Sequence, residues 1–165
     1  MFRLSTILIS FILTLALLHC TKVEKPAPEV RWISLADAQA LSKNDHKKIL
    51  VDIYTDWCEF CKKLEEQVYP DSLVRESIYE YYHAVKLDAE SDEVIEFNGE
   101  TLSKKQFAKK LGVRSYPTIL FIDTEGELIL QINGYMPAED FKNMLVYIGE
   151  EAYHKKEFHE FIVDK

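Results

Sequence analysis

Cys58 and Cys61 stand at the junction between a β-rich run, KILVDIYT (48–55), and a helical run, KKLEEQVY (62–69). That junction constrains the fold more than any other stretch. The first run is apolar on both faces, as a central strand should be. The helix begins near Cys58, so the first sulfur lies beside the free N–H groups at the positive end of the helix dipole. That position stabilises a thiolate, and the thiolate is the nucleophile of disulfide exchange. Cys61, one turn inward, can close the ring and resolve a mixed disulfide.

A Cys-x-x-Cys pair also serves zinc, which needs two further ligands. The candidates are His46, His83, His154 and His159. The last two have a finger-like His-x4-His spacing but lie far along the chain from the cysteines, which argues against a metal site. The remaining cysteine, Cys20, closes an apolar run, LSTILISFILTLALL (4–18), that follows Met1-Phe2-Arg3. This is long for a signal-peptide core and short for a membrane span. Leu17-Leu18-His19-Cys20 resembles a lipobox, with His19 departing from the usual small residue. The expectation is a lipoprotein-type signal peptide over 1–19 and lipidation at Cys20. A flexible, proline-containing linker follows over 20–30, then one domain over 31–165. An ordinary cleaved signal and an uncleaved anchor are the alternatives. All three export the domain to the cell envelope, facing the periplasm.

Within the domain, Ser34-x-x-Asp37 reads as a capping box opening a helix to about Lys43. Pro70-Asp71-Ser72 interrupts the helix after Cys61, and Ser72 is placed as the cap of a second stretch, LVRESIYEYY. HAVKLDA (83–89) reads as a strand, and 90–101 as a polar loop or short insertion. Ser103-x-x-Gln106 is a second capping box, with Gly112 ending its helix. TILFID (118–123) and ELILQI (127–132) read as a hairpin about Thr124-Glu125-Gly126. Pro137 fits the first turn of a helix burying Phe141, Met144, Leu145 and Ile148. The final sixteen residues read as an amphipathic helix packing Tyr153, Phe158 and Phe161. Alternating elements followed by a hairpin give an α/β fold with a central mixed β-sheet and helices on both faces.

The chain carries 28 acidic against 20 basic residues, a formal net charge of −8, and no basic run that would track a nucleic acid. Its 47% hydrophobic content and 18 Phe and Tyr residues support a packed core rather than disorder.

VDIYTDWCEFCKKL and GVRSYPT together resemble the thioredoxin superfamily, over about residues 31–148. The type indicated is an exported, thioredoxin-like thiol:disulfide oxidoreductase of lipoprotein type. CKKLEEQVYPDSLV is similar to exported thioredoxin-like proteins and to reductase domains that pass electrons to envelope substrates. The resemblance implies a thioredoxin fold, with Cys58 as nucleophile, Cys61 as resolving thiol, and a redox-active disulfide between them. It implies a buried proton acceptor at Asp52 with Lys86 as its neighbour. It places Trp57 beside the nucleophile, and a cis-proline at Pro117 that presents the backbone of Tyr116 to substrate. Gly134 matches a glycine close to the site, needed either for backbone approach or for a turn. No cofactor or metal is required, because the electrons reside in the dithiol. Disulfide-containing protein substrates, a membrane-bound electron donor and a monomeric, lipid-tethered chain are expected.

Between the cysteines stand Glu59 and Phe60, where typical thioredoxins have Gly-Pro and strong oxidants of the fold often have His. A negative neighbour disfavours a thiolate, and a less stabilised thiolate makes a less oxidising disulfide. The expected direction is therefore reduction. A disulfide oxidase or isomerase, and a non-catalytic binding module on the same fold, are the competing readings.

Overall fold

A computed structural model describes residues 28–164 of the chain. The expected signal peptide, most of the expected linker and Cys20 lie outside the described residues. The order is β1 (Trp32–Ile33), α1 (Leu35–Asp45), β2 (Lys48–Tyr54), α2 (Glu59–Gln67), α3 (Ser72–Tyr81) and β3 (Tyr82–Asp88). There follow β4 (Val94–Phe97), β5 (Glu100–Ser103), α4 (Lys104–Lys110), β6 (Thr118–Ile122), β7 (Leu128–Asn133) and α5 (Ala138–Gly149). A 3₁₀ turn (Ala152–His154) and α6 (Phe158–Val163) complete it.

Five strands form one sheet in the order β1-β3-β2-β6-β7. β3 runs parallel to both β1 and β2, whereas β6 is antiparallel to β2 and β7. β2 is central, which explains its unbroken apolar run: Ile49, Leu50, Val51 and Ile53 are all buried. Alternation along the strands sends their side chains into two cores. Leu50, Ala84, Ile119 and Phe121 meet Leu64, Val74, Phe141 and Leu145 from α2, α3 and α5. Ile49, Val51, Val85 and Leu120 meet Leu35, Ala38 and Phe107 from α1 and α4. Asp52 and Lys86 belong to the first face, the one α2 covers.

Most expected elements form, with several differences. The segment 90–101, read as a loop, forms most of the hairpin β4–β5, in which Val94 pairs with Ser103 and Phe97 with Glu100. Its turn is Asn98-Gly99, both with positive φ, and Phe97 reaches the second core to meet Phe107 edge-on at 4.9 Å. The two-residue strand β1 was not foreseen. Asp71 rather than Ser72 caps α3, accepting from the amides of Leu73 and Val74 at 2.9 and 3.1 Å, because its carboxylate reaches two free N–H groups. α1 runs past Lys43 and ends where His46 turns left-handed. Pro137 sits at the N-cap position, one residue before α5. The C-terminal stretch is divided into the 3₁₀ turn and α6, separated at Lys155–Glu157. There Tyr147 donates to the Lys156 carbonyl at 2.7 Å and packs against Tyr153, Phe158 and Phe161.

Among the described residues no helix is long and apolar enough to cross a membrane, and no group of three or more His, Cys, Asp or Glu side chains is placed to hold a metal.

Candidate active site

β2 delivers the chain to one end of the sheet, and four residues separate it from α2. Cys58 is the N-cap of α2, and its Sγ accepts from the Cys61 amide at 3.1 Å. The Cys58 carbonyl receives the amides of Cys61 and Lys62. The two sulfurs are joined in a disulfide. Both residues are largely buried, at 4% and 5% exposure, so attack from outside reaches only a small sulfur face.

The flanking residues are open. Trp57 is 62% exposed and Phe60 59%, the two together making an aromatic rim. Trp57 donates its indole N–H to Glu90 at 3.1 Å and lies edge-on to Tyr116 at 5.8 Å. Phe60 lies 6.4 Å from Tyr135, whose ring carries Lys63 at 4.3 Å. Register explains why Tyr116 arrives here. Ile53 near the end of β2 pairs with Thr118, so Tyr116 and Pro117, just before β6, overhang the loop that carries the cysteines. The Tyr116–Pro117 peptide bond is cis. The Gly134 amide donates to the Pro117 carbonyl at 2.8 Å. Gly134 has φ +90° and open space where a Cβ would stand, so the glycine serves the turn's backbone conformation rather than a close contact within the chain.

Behind the disulfide, Asp52 is fully buried. Burial disfavours its charged form and pushes its pKa up to about 6, while the Tyr69 hydroxyl and the charge of Lys86 pull it back down. Tyr69 is close enough to act on Asp52, yet at ordinary hydrogen-bond geometry both carboxylate oxygens and the Tyr69 hydroxyl are unpartnered. Lys86 is Asp52's register partner on β3. Its ammonium is paired with Glu65 and lies over the rings of Tyr54 at 4.9 Å and Trp32 at 5.7 Å. Partial burial holds its pKa below the usual lysine value, opposed by Asp52. A cavity of about 170 Å³ is lined by Cys61, Thr55, Glu65 and Lys86, among others, but not by Asp52. A larger cleft of about 380 Å³, between residues 28–33, α1 and α3, contains none of these residues.

The fold therefore brings together Cys58, Cys61, Asp52, Lys86, Trp57, Tyr116, Pro117 and Gly134 at one end of the sheet. Sequence reasoning did not single out Tyr69, Glu65, Glu90 or Tyr135. The available signal was helical spacing: Glu65 is one turn beyond Cys61, and Tyr69 follows the buried Cys61, Leu64 and Val68.

A disulfide-bonded Cys-x-x-Cys pair at a helix start, on a mixed sheet layered by helices, matches the class of thiol:disulfide oxidoreductases with a thioredoxin fold. The chain belongs to the thioredoxin-like domain family, whose model matches residues 35–149. It is 32% identical over 112 residues to the thiol:disulfide interchange protein DsbD of Photorhabdus laumondii, covering 67% of this chain and 18% of that protein. The chain thus spans about a fifth of the length of the curated relatives it matches. Among solved structures it is similar to a putative disulphide-isomerase from Bacteroides thetaiotaomicron, with 30% identity, a TM-score of 0.59, and 79% and 98% of the two chains covered. It is also similar to a thioredoxin-fold protein from Helicobacter pylori, with 25% identity, a TM-score of 0.62, and 73% and 80% covered.

Proposed function

We propose that the chain reduces disulfides of envelope proteins on the periplasmic side of a membrane, held there through a lipid on Cys20. The observation that carries the reading is the Cys58–Cys61 pair at the start of α2 with Asp52 buried on the sheet face that α2 covers. In the reduced protein the Cys58 thiolate attacks one substrate sulfur, and the other leaves as a thiolate and takes a proton. Asp52 accepts the Cys61 proton. The new Cys61 thiolate attacks the Cys58 sulfur, the mixed disulfide breaks, and the substrate sulfur that was bonded to Cys58 departs with the electron pair. Two electrons have then passed to substrate, and Cys58–Cys61 is oxidised. A membrane-bound dithiol donor restores it, and no bound cofactor takes part. Trp57 and the Tyr116–Pro117 segment frame the entering chain.

The direction is supported by Glu59, an exposed carboxylate beside Cys58, although Lys62 pairs with it at 2.8 Å and offsets part of its charge. Similarity to an interchange protein agrees with transfer between dithiols. The test is the reduction potential of the pair in the full chain, equilibrated in dithiol buffers and read by mass spectrometry of the Cys58–Cys61 peptide. A value near about −270 mV supports the reductant, and one near about −120 mV makes disulfide formation the function.

A further inference from the structure

The mechanism above makes no use of Tyr69. It follows the last turn of α2, is 6% exposed, and has its ring fixed edge-on by Trp32 at 5.0 Å and by Phe141 at 6.1 Å. Strand alternation puts Asp52 on the sheet face that α2 and Tyr69 cover. A phenylalanine would satisfy those ring contacts equally well. The hydroxyl, sealed from solvent and without another partner, costs free energy unless it donates to something. Asp52, whose two oxygens are equally sealed and unpartnered, is the acceptor within its influence.

We propose that Tyr69 is a positioning residue: its hydroxyl donates to one oxygen of Asp52 and leaves the other free to take the Cys61 proton. The inference rests on the reading of Asp52 as proton acceptor. The other groups around Asp52 are Lys86 from β3, itself tied to Glu65 of α2, Cys61 from α2 and Tyr54 from β2. β6 contributes only apolar Ile119 opposite. A donor to the carboxylate favours its charged form. Removing the hydroxyl therefore raises the pH at which Asp52 becomes available.

The experiment compares full-length wild type, Tyr69→Phe and Asp52→Asn, each reduced and then oxidised in a single turnover by oxidised glutathione, followed by mass spectrometry of quenched samples across pH. The expected result is an acid limb moved up by about one pH unit in Tyr69→Phe, hence about tenfold slower on the limb, with the high-pH plateau unchanged. Asp52→Asn should remove the Asp52 component and leave only the limb that ionisation of Cys58 itself imposes. If Asp52→Asn changes the limb while Tyr69→Phe overlays wild type, the role of Tyr69 is overturned and that of Asp52 stands. If Asp52→Asn overlays wild type, both fall. A second measurement needs no variant of Tyr69. The ¹³Cζ resonance of labelled Tyr69 should shift with the Asp52 titration in wild type and stay fixed in Asp52→Asn. An unmoved resonance in wild type overturns the proposal even if Tyr69→Phe does not fold.

Discussion

Replacing Asp52 with Asn should make the oxidised protein more stable at alkaline pH than at acid pH, relative to wild type. The Asp52 carboxyl titrates near 3.8 as a free group and near 6 in the fold, chiefly because burial penalises its charge. A folded-state pKa above the unfolded one means that folding favours the protonated form. Stability from this group is therefore present below about 3.8 and lost as the pH rises through about 6. At about 1.4 kcal/mol per unit, the full loss is about 3 kcal/mol. Between about pH 4 and about pH 8 some 2 kcal/mol of it develops, because deprotonation of the unfolded chain has already begun at the lower pH. Asn carries no charge at either pH, so its own burial cost is the same at both. Every other titrating group is common to the two proteins and cancels. The assay is urea unfolding of both oxidised proteins at the two pH values, with the variant's advantage taken as a difference of differences. An advantage that grows by about 2 kcal/mol from acid to alkaline supports the argument. An advantage independent of pH refutes it, because it would mean that Asp52 is charged in the fold at little cost.

Three further outcomes follow from contacts described above. Cys61→Ser should trap a mixed disulfide between Cys58 and a substrate, seen as a dithiothreitol-sensitive adduct on a non-reducing gel, because no second thiol remains to resolve it. Gln39→Ala should loosen the β4–β5 hairpin: the Gln39 amide donates to the Glu96 carbonyl at 2.9 Å and accepts from the Asn98 amide at 3.0 Å. A loss of about 1 kcal/mol, with faster amide exchange at Asn98, is expected. Phe107→Ala removes a fully buried ring that ties this hairpin to the second core and should cost about 3–5 kcal/mol in denaturant unfolding.

The sheet and most helices were legible because their signals are local. β2 is a continuous apolar run, the Ser34 and Ser103 caps announce their helices, and the site motif lies within a few residues of one strand end. The hairpin β4–β5 carried one of the stronger short-range turn signals, Asn-Gly. It was obscured by Glu96 and Glu100 on either side, whose polarity is natural for a small sheet with one face in water. β1 is too short to show a period. Asp52 was legible as an anomaly, a carboxylate inside an apolar strand. Tyr69 was not, because a tyrosine after a helix is unremarkable until the fold lays it against that carboxylate. Glu65 and Glu90 were hidden for the same reason. Their partners, Lys86 and Trp57, lie elsewhere in the chain, and only β2–β3 pairing and the loop after β3 bring them close.

The antiparallel pairing of β2 with β6 has a consequence for how the protein is made. Asp52, Trp57, Cys58 and Cys61 are adjacent in the chain, whereas Tyr116 and Pro117 come from a segment that emerges from synthesis much later. Closing that long loop is the slow, entropically costly part of building such a sheet. While the chain is being made the two thiols are thus chemically competent before the segment that frames them has arrived, and the young chain is open to adventitious oxidation or to capture by other thiols. The small separation of Cys58 and Cys61 limits the harm. The nearest partner for either sulfur is the other, so an early oxidation yields the pairing that the finished protein uses.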